Sequence, residues 1–401
     1  MVLFTGKGGV GKTSIAAATA VAAARRGQRV LVTSTDAAHS LADAFASPLG
    51  DRPTPIGLAG GAHLHAQQLD AQQRLERHWG QVREYLTALL HWGGIDRVAA
   101  EELVLLPGLD ELFALIDLRG QVATGRYDLI VVDCAPTAET LKLLTLPDAL
   151  RFYSDRVLGP GRAVARAIAP LARPRGAGGD GLPLPGEEVV DAATHLHTQL
   201  AEVHSLLTDT ARTSVRLVVN PERIVLAEAE RTATSLSLFG YGIDAVVVNR
   251  ILPPDVVDPY LVRWQQRHRE HLAAARTAFA PIPVLEVPLL ADEVIGTDAL
   301  ARLGERTYGD RDPTAILHHQ RPLEVVSDGA DTWLLLSLPF AVEDDLDLSR
   351  RGDSLQVTVS GLRRNVPLPS ALARRSVAGA RLSEGRLEVR FAPQAVEVTP
   401  S

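Results

Sequence analysis

At 401 residues, 46% hydrophobic and 22% charged, the chain is long enough for two domains with buried cores and has the composition of a soluble globular protein. Its formal net charge of -7 gives no electrostatic reason to expect nucleic acid as a partner. A single cysteine, Cys134, excludes intramolecular disulfides and a cysteine-built zinc site within one chain.

The N-terminal run Met1-Val2-Leu3-Phe4-Thr5-Gly6-Lys7 has neither the basic region nor the long apolar region of a secretion signal. The most apolar helix-like stretch, Ser14 to Ala24, falls well short of the ~20 residues that span a bilayer. A cytoplasmic protein is expected. Val2-Leu3-Phe4 reads as a buried strand, followed by a glycine turn and a helix from Lys12 to Arg26 that Gly27 breaks. Arg29 to Thr33 reads as the next strand, ending at polar Ser34-Thr35-Asp36. Leu129 to Val132, Val215 to Val219 and Ala245 to Val248 are further apolar, β-branched runs of the central-strand kind. Strands interleaved with helical stretches predict a doubly wound, mainly parallel α/β sheet that binds ligands at the strands' carboxyl ends.

Two regions exceed a minimal domain of this kind. Residues of about 69 to 118 read as helical, with Leu75, Trp79, Val82, Leu86, Leu89 and Leu90 at helical spacing. Residues 152 to 207 are a second helical region, broken by the glycine-rich loop from Arg173 to Gly181. Both are expected to form a helical insertion above the sheet. After Leu317 the texture changes. His318 to Pro322 reads as a linker, and then come the strand-like runs Trp333 to Leu338, Ser354 to Val359 and Arg386 to Phe391. The expected organisation is an α/β domain over residues 1–317 and a small all-β domain over residues 322–401.

The loop Gly6-Lys7-Gly8-Gly9-Val10-Gly11-Lys12-Thr13 matches the pattern G-x-x-x-x-G-K-[ST] in full, between a strand and a helix. Its glycines let backbone N–H groups curl round a phosphate, and the helix N-terminus adds favourable potential. Lys12 is the expected counter-charge for the β- and γ-phosphates of ATP, and Thr13 the expected hydroxyl ligand of Mg²⁺. An early second lysine, Lys7, makes the loop resemble the deviant form found in signal-recognition and partitioning ATPases. That resemblance implies that Lys7 reaches a nucleotide held by a second copy in a homodimer; the alternative is a solvated surface lysine.

Ser34-Thr35-Asp36-Ala37-Ala38-His39-Ser40-Leu41-Ala42-Asp43-Ala44-Phe45 is similar to S-T-D-P-A-H-N-L-S-D-A-F, the first switch of the arsenite-pump and tail-anchored-protein-targeting ATPase family. The resemblance implies that Asp36 orients the attacking water, a role that suits a carboxylate at a strand end. A helix N-cap is the alternative. Asp133-Cys134-Ala135-Pro136-Thr137-Ala138-Glu139-Thr140-Leu141 resembles the second switch, D-T-A-P-T-G-H-T-L, which makes Asp133 a Mg²⁺ ligand through water. The departures are Ala138-Glu139 for Gly-His, and Ala37 and Ser40 for Pro and Asn. They put in doubt how nucleotide state would reach the helices. Asn249, at the end of a strand, and Pro288, in Val287-Pro288-Leu289-Leu290, fall where the family contacts adenine. The resemblance covers about residues 1 to 317.

The family has two known outputs. Arsenite stimulation needs several soft thiolates, and this chain offers only Cys134. Tail-anchored-protein targeting needs an apolar groove, in eukaryotic members methionine-rich with a zinc-binding CxxC; here the only methionine is Met1. Apolar helices are nevertheless available. Val164, Ile168 and Leu171 share one face, and Leu103 to Leu106 precede Pro107-Gly108-Leu109-Asp110-Glu111, which resembles a P-G-x-D-E segment of the family. The last region, with Leu334-Leu335-Leu336-Ser337-Leu338-Pro339, then Asp353 to Gly361, then Leu368-Pro369, then Ala380 to Val389, resembles the α-crystallin domain of small heat-shock proteins. That fold is a β-sandwich whose edges and groove bind extended or apolar segments, although a structural buttress is the sober alternative. Together these readings point to a homodimeric, Mg-dependent ATPase that couples nucleotide state to hydrophobic protein segments, with room for a membrane-protein partner and none for nucleic acid. The rivals are an arsenite-pump-driving subunit and a nucleotide-gated holdase whose hydrolysis is incidental.

Overall fold

The computed structural model describes residues 1–35, 40–69, 109–134, 187–329 and 331–392, and elements are numbered here within those residues. The apolar runs that read as central strands are strands. They are β1 (Val2–Thr5), β2 (Val30–Ser34), β5 (Leu129–Asp133), β6 (Ser214–Val219) and β7 (Ile243–Ile251). Every residue of the first four is buried, as expected of strands covered on both faces. Three strands were not anticipated: β3 (Thr54–Ile56), β4 (Leu64–Gln68) and β8 (Val284–Pro288). β4 reads Leu-His-Ala-Gln-Gln, too polar for an apolar-run criterion, yet Gln67 is buried because its amide donates to Thr33 Oγ1 on β2 at 3.4 Å.

The strands form one eight-stranded sheet in the order β3-β4-β2-β5-β1-β6-β7-β8, parallel throughout except for β3. β1 leads through α1 (Lys12–Arg25) to β2 on one side, while β6 flanks β1 on the other. The crevice that opens where the connections diverge lies at the carboxyl end of β1. Helices α2 (Ser40–Phe45), α3 (Leu109–Ala123), α4 (Glu187–Thr208), α5 (Arg223–Leu238), α6 (Pro259–Ala278) and α7 (Thr297–Tyr308) complete the α/β part. α3 begins in the first stretch expected to be helical and runs past its end to Ala123, and α4 occupies the end of the second; Leu115 and Leu118 of α3 and Leu200, Val203 and Leu207 of α4 join the sheet's own core. The candidate apolar positions Leu75 to Leu90, Leu103 to Leu106, and Val164, Ile168 and Leu171 lie outside the described residues. Among the described residues, no helix is long and apolar enough to cross a membrane.

Beneath the sheet's far end sits a buried ion pair. Arg216 of β6 and Asp244 of β7 have fully buried side chains, with guanidinium nitrogens 3.1 to 3.3 Å from both carboxylate oxygens. The remaining donors of Arg216 go to Tyr308 Oη at 3.0 Å, Pro313 O at 3.0 Å and Ala315 O at 2.8 Å. Tyr308 Oη in turn lies 2.7 Å from Thr19 Oγ1 on α1. Asp244 also accepts from Leu317 N at 3.2 Å, so the segment leaving the α/β part is fastened to the same pair.

The last region is antiparallel. β9 (Leu323–Asp328), β10 (Asp331–Ser337), β14 (Ser376–Ser383) and β15 (Arg386–Ala392) make a four-stranded sheet ordered β14-β15-β10-β9. β11 (Leu346–Arg351), β12 (Ser354–Val359) and β13 (Leu362–Pro367) make a three-stranded one, followed by the short α8 (Ser370–Ala373). Alternate residues point inward: Leu334 and Leu336 on β10, Leu355, Val357 and Val359 on β12, and Leu387, Val389 and Phe391 on β15 are buried. Four of these strands were not anticipated. β9 and β14 are largely exposed, β11 reads Leu-Asp-Leu-Ser-Arg-Arg, and β13 opens Leu-Arg-Arg-Asn, so none presents an apolar run.

The β region is bolted to the α/β part. Phe340 meets Phe279 edge-on at 5.2 Å, Thr234 Oγ1 donates to Pro339 O, and Arg364 donates to Leu238 O. Gln320, inside the expected linker, accepts from Ile243 N at 3.1 Å and donates to Ser237 Oγ and Ser337 Oγ, each at 3.1 Å.

Removing one partner of a fully buried ion pair strands the other charge. Asp244→Ala is therefore expected to lower unfolding stability by about 3–5 kcal/mol, as read by urea titration. A loss below about 1 kcal/mol would show that Arg216 finds adequate partners without the carboxylate.

Candidate nucleotide site

The glycine loop runs from the end of β1 to the start of α1 and is drawn tight against its neighbours. Gly6 has φ 153°, and a Cβ there would stand 2.1 Å from the carbonyl oxygen of Val218 on β6. Gly11, the N-cap of α1, has φ 95°, and a Cβ there would stand 2.4 Å from Asn249 Nδ2. Only glycine fits either position. Gly11 also brings no side chain to the first turn of α1, and no acidic residue lies in that turn, so the helix's leading N–H groups and positive dipole end are left for an external anion.

The two lysines of the loop are placed differently. Lys12 is buried and donates from Nζ to Lys7 O at 3.3 Å, across the loop. Lys7 points outward: its side chain is 43% exposed, and Nζ lies 4.0 Å from Glu228 Oε2 on α5.

Thr13 opens α1 toward the end of β5. Its hydroxyl donates to Asp133 Oδ2 at 2.7 Å and lies 3.0 Å from Ser40 Oγ. A hydroxyl has one proton, and Asp133 takes it, so Ser40 is the donor in the second contact. Ser34 Oγ donates a second bond to Asp133 Oδ2 at 3.2 Å. Asp133 is fully buried, and the parallel register that sets β1 beside β5 at Phe4 and Asp133 brings it under the loop. Thr35 N is bonded to Asp133 O at 3.0 Å. Asp36, the next residue, lies outside the described residues, as does the second-switch departure Ala138-Glu139.

Asn249 and Pro288 line one cleft of about 570 Å³ with Gly11, Ser14, Arg250 and Leu289. Asn249 is occupied at both ends of its amide. Nδ2 donates to Val10 O at 2.8 Å, and Oδ1 accepts from Arg250 N at 2.9 Å. It therefore braces the loop from β7 and keeps one N–H and one lone pair for anything in the cleft. Arg250 holds a left-handed φ of 59°, uncommon for a residue with a long side chain. Cys134 is buried, and burial raises its thiol far above the ordinary range, leaving it unreactive.

Thr13, Asp133, Lys12 and the loop glycines thus meet at one place, and Asn249 and Pro288 adjoin it through Gly11. Two participants carry no signal of their own in the sequence: Ser34 and Ser40 stand there only as parts of the first switch, Ser40 as a departure from it. Glu228, which meets Lys7 outside this cluster, has no local signal either.

A parallel sheet with a glycine loop leading into a helix N-terminus, set at the sheet's carboxyl edge beside a buried aspartate, defines a nucleotide-binding protein of the P-loop class. Residues 1–309 match the anion-transporting ATPase family, and residues 329–391 match the HSP20-like domain found in ArsA. The chain belongs to the ArsA ATPase family, and that membership supports ATP hydrolysis. A Chlorobaculum tepidum protein provisionally named arsenical pump-driving ATPase is 35% identical over 93% of this chain and 91% of its own length. An uncharacterised Streptomyces coelicolor protein is 38% identical over 98% of this chain and 97% of its own. A Trypanosoma cruzi ATPase ASNA1 homolog is 29% identical over 75% of this chain and 88% of its own.

Gly11→Ala is expected to weaken ATP binding at least about tenfold in calorimetry while circular dichroism stays native. The new methyl must displace the Asn249 amide and hold a conformation that costs roughly 1–2 kcal/mol for a side-chain-bearing residue. Unchanged affinity would mean that the loop relaxes without cost.

Proposed function

We propose that residues 1–317 form a Mg²⁺-dependent ATPase domain that works as a homodimer, and that residues 322–401 form a domain through which nucleotide state is coupled to hydrophobic protein segments. The observation that carries the ATPase reading is the Thr13–Asp133 hydrogen bond at the mouth of the glycine loop. An all-oxygen set of Thr13, Ser40 and Asp133 suits Mg²⁺, which takes few protein ligands and keeps several waters. In this reading Thr13 would hold the ion directly and Asp133 through water, and the ion would supply positive charge to offset the phosphates. Lys12 offsets phosphate charge. The backbone from Gly6 through Gly8, Gly9 and Val10 to Gly11 cradles the phosphates. Asn249 and Pro288 bound the adenine. Asp36 orients the attacking water, and Lys7 serves the nucleotide of the second copy.

The client-binding part of the proposal is supported by β9. It is an edge strand of the four-stranded sheet, and Leu323, Val325 and Val326 are 37%, 46% and 44% exposed on it. An exposed apolar edge offers backbone pairing and side-chain contact to an extended segment. The names of the relatives favour a second reading, an arsenite-pump-driving subunit. Against it, the chain's one cysteine is buried with its thiol held protonated, while As(III) bonding calls for accessible thiolates. A holdase with incidental hydrolysis remains distinguishable by the test of Asp36.

Asp36→Asn is expected to retain ATP–Mg²⁺ binding and to lose turnover by about a hundredfold or more, measured as phosphate release, because the amide keeps the size and loses a carboxylate acceptor. Turnover within a few-fold of wild type would make Asp36 a helix cap. If client protection survives undiminished in the hydrolysis-dead variant, the holdase reading is the correct one.

Because Gln320, Arg364 and Phe340 knit the β region to the α/β part, point changes on the edge strand test client binding better than truncation. Val325→Lys with Val326→Lys should leave ATPase activity intact and largely abolish suppression of a thermally unfolding client's aggregation, measured by light scattering. Equal suppression by variant and wild type would remove β9 from the proposal.

A further inference from the structure

Lys7 is held on its own chain by a group to which no role has been given. Glu228 lies on α5 with its side chain 31% exposed, 4.0 Å from Lys7 Nζ. Lys7 and Glu228 share a narrow crevice between the loop and α5 with Gly6, Val219, Val225 and Ala229. We propose that Glu228 is the resting counter-ion of Lys7: it holds the lysine against α5 until the phosphates of a nucleotide on a second copy displace it. The inference rests on the reading that Lys7 serves a partner's nucleotide.

Three observations support it. First, the two loop lysines are not equivalent. Lys12 is buried and tied to the loop's own backbone, whereas Lys7 is half-exposed and its ion pair is with another element. Second, Glu228 is a negative charge beside a loop built to receive negative phosphates. Lys7, 4.0 Å away in the same crevice, is the cation that offsets that charge. Third, Glu228 cannot follow Lys7 outward. Downstream on the same helix, Thr234 donates to Pro339 O, Ser237 Oγ accepts from Gln320, and Leu238 O accepts from Arg364. α5 is thereby pinned to the β region. Movement of Lys7 toward a partner therefore breaks the pair rather than carrying it along.

The expected strength fits a latch. A partly exposed lysine–carboxylate pair shifts an equilibrium by at most about fivefold. The phosphates of a nucleotide carry several negative charges against the single, partly exposed carboxylate of Glu228, so a nucleotide can outcompete Glu228 while the pair still biases the empty protein toward the withdrawn state.

The test uses the full chain and steady-state ATPase activity as a function of protein concentration. Glu228→Gln should lower the concentration that gives half-maximal specific activity by about two- to fivefold, with turnover at saturating concentration and the thermal midpoint as in wild type. The difference should shrink at ~1 M salt, where the Debye length is about 3 Å. Lys7→Ala should raise that concentration, and adding Glu228→Gln to Lys7→Ala should change nothing further. If Lys7→Ala leaves the concentration dependence unaltered, the partner-reaching reading itself fails. If Lys7→Ala acts and Glu228→Gln behaves as wild type, the reading stands and the latch is overturned. An equal effect of Glu228→Gln with and without Lys7 also overturns the latch, since Glu228 would then act by direct repulsion of phosphate.

Discussion

The buried pair of Arg216 and Asp244 is the constraint on which the rest of the arrangement depends. A guanidinium out of water is tolerated only when nearly every N–H is met, and here two carboxylate oxygens, a tyrosine hydroxyl and two carbonyls meet it. Those partners come from β7, the end of α7 and the segment at 313–317, so satisfying one side chain fixes three pieces of chain. Tyr308 passes the constraint on to Thr19 of the helix that carries the glycine loop. Burial alone would depress the positive charge, and the coulombic and hydrogen-bonding partners more than offset it. Replacing the whole set by apolar residues need not destabilise the fold. What the polar version supplies is direction, because a fork of fixed geometry accepts only one placement of the departing chain.

The glycine loop is constrained in a complementary way, by close approach rather than by charge. Gly6 is pressed on the backbone of β6, and Gly11 on the amide of Asn249 from β7. Strands on one side of β1 thus set the loop's shape, while Asp133 from β5 on the other side sets the direction of the Thr13 hydroxyl. A loop held from both flanks undergoes little reorganisation when a phosphate arrives, which is how preorganised donors gain their effect.

Much of this was legible beforehand, and the rest was hidden for physical reasons. The central strands announced themselves because a strand covered on both faces must be apolar throughout, as Leu129 to Val132 and Ala245 to Val248 are. The glycine loop announced itself because close approach admits one residue type. β4 was silent because Gln67 is buried with its amide bonded to Thr33, and β9 and β14 because exposed strands need no pattern. Glu228 was invisible for another reason. It stands 221 positions from Lys7 in the chain, and nothing local in α5 signals a partner that only the fold delivers. The sequence resemblance points Asn249 at an adenine, and nothing in it announces that the amide is engaged with the loop and with Arg250.

The helix α5 joins the two halves of the molecule. Glu228 near its start faces the nucleotide loop, and Thr234, Ser237 and Leu238 near its end hold the β region. Ten residues of helix separate Glu228 from Leu238, roughly 15 Å at 1.5 Å per residue. A helix of that length transmits translation and tilt with little internal give, since its backbone hydrogen bonds run along its axis. The buried face of α5, with Val225, Ala229, Ala233 and Leu236, is packed in the same core as the sheet. Any shift of the helix against the loop must therefore either repack that face or rotate the helix about it, and close-packed interiors favour discrete rearrangements over continuous drift. Two surfaces carried on one rigid element, one at the glycine loop and one at the β region, are thereby bound to move together.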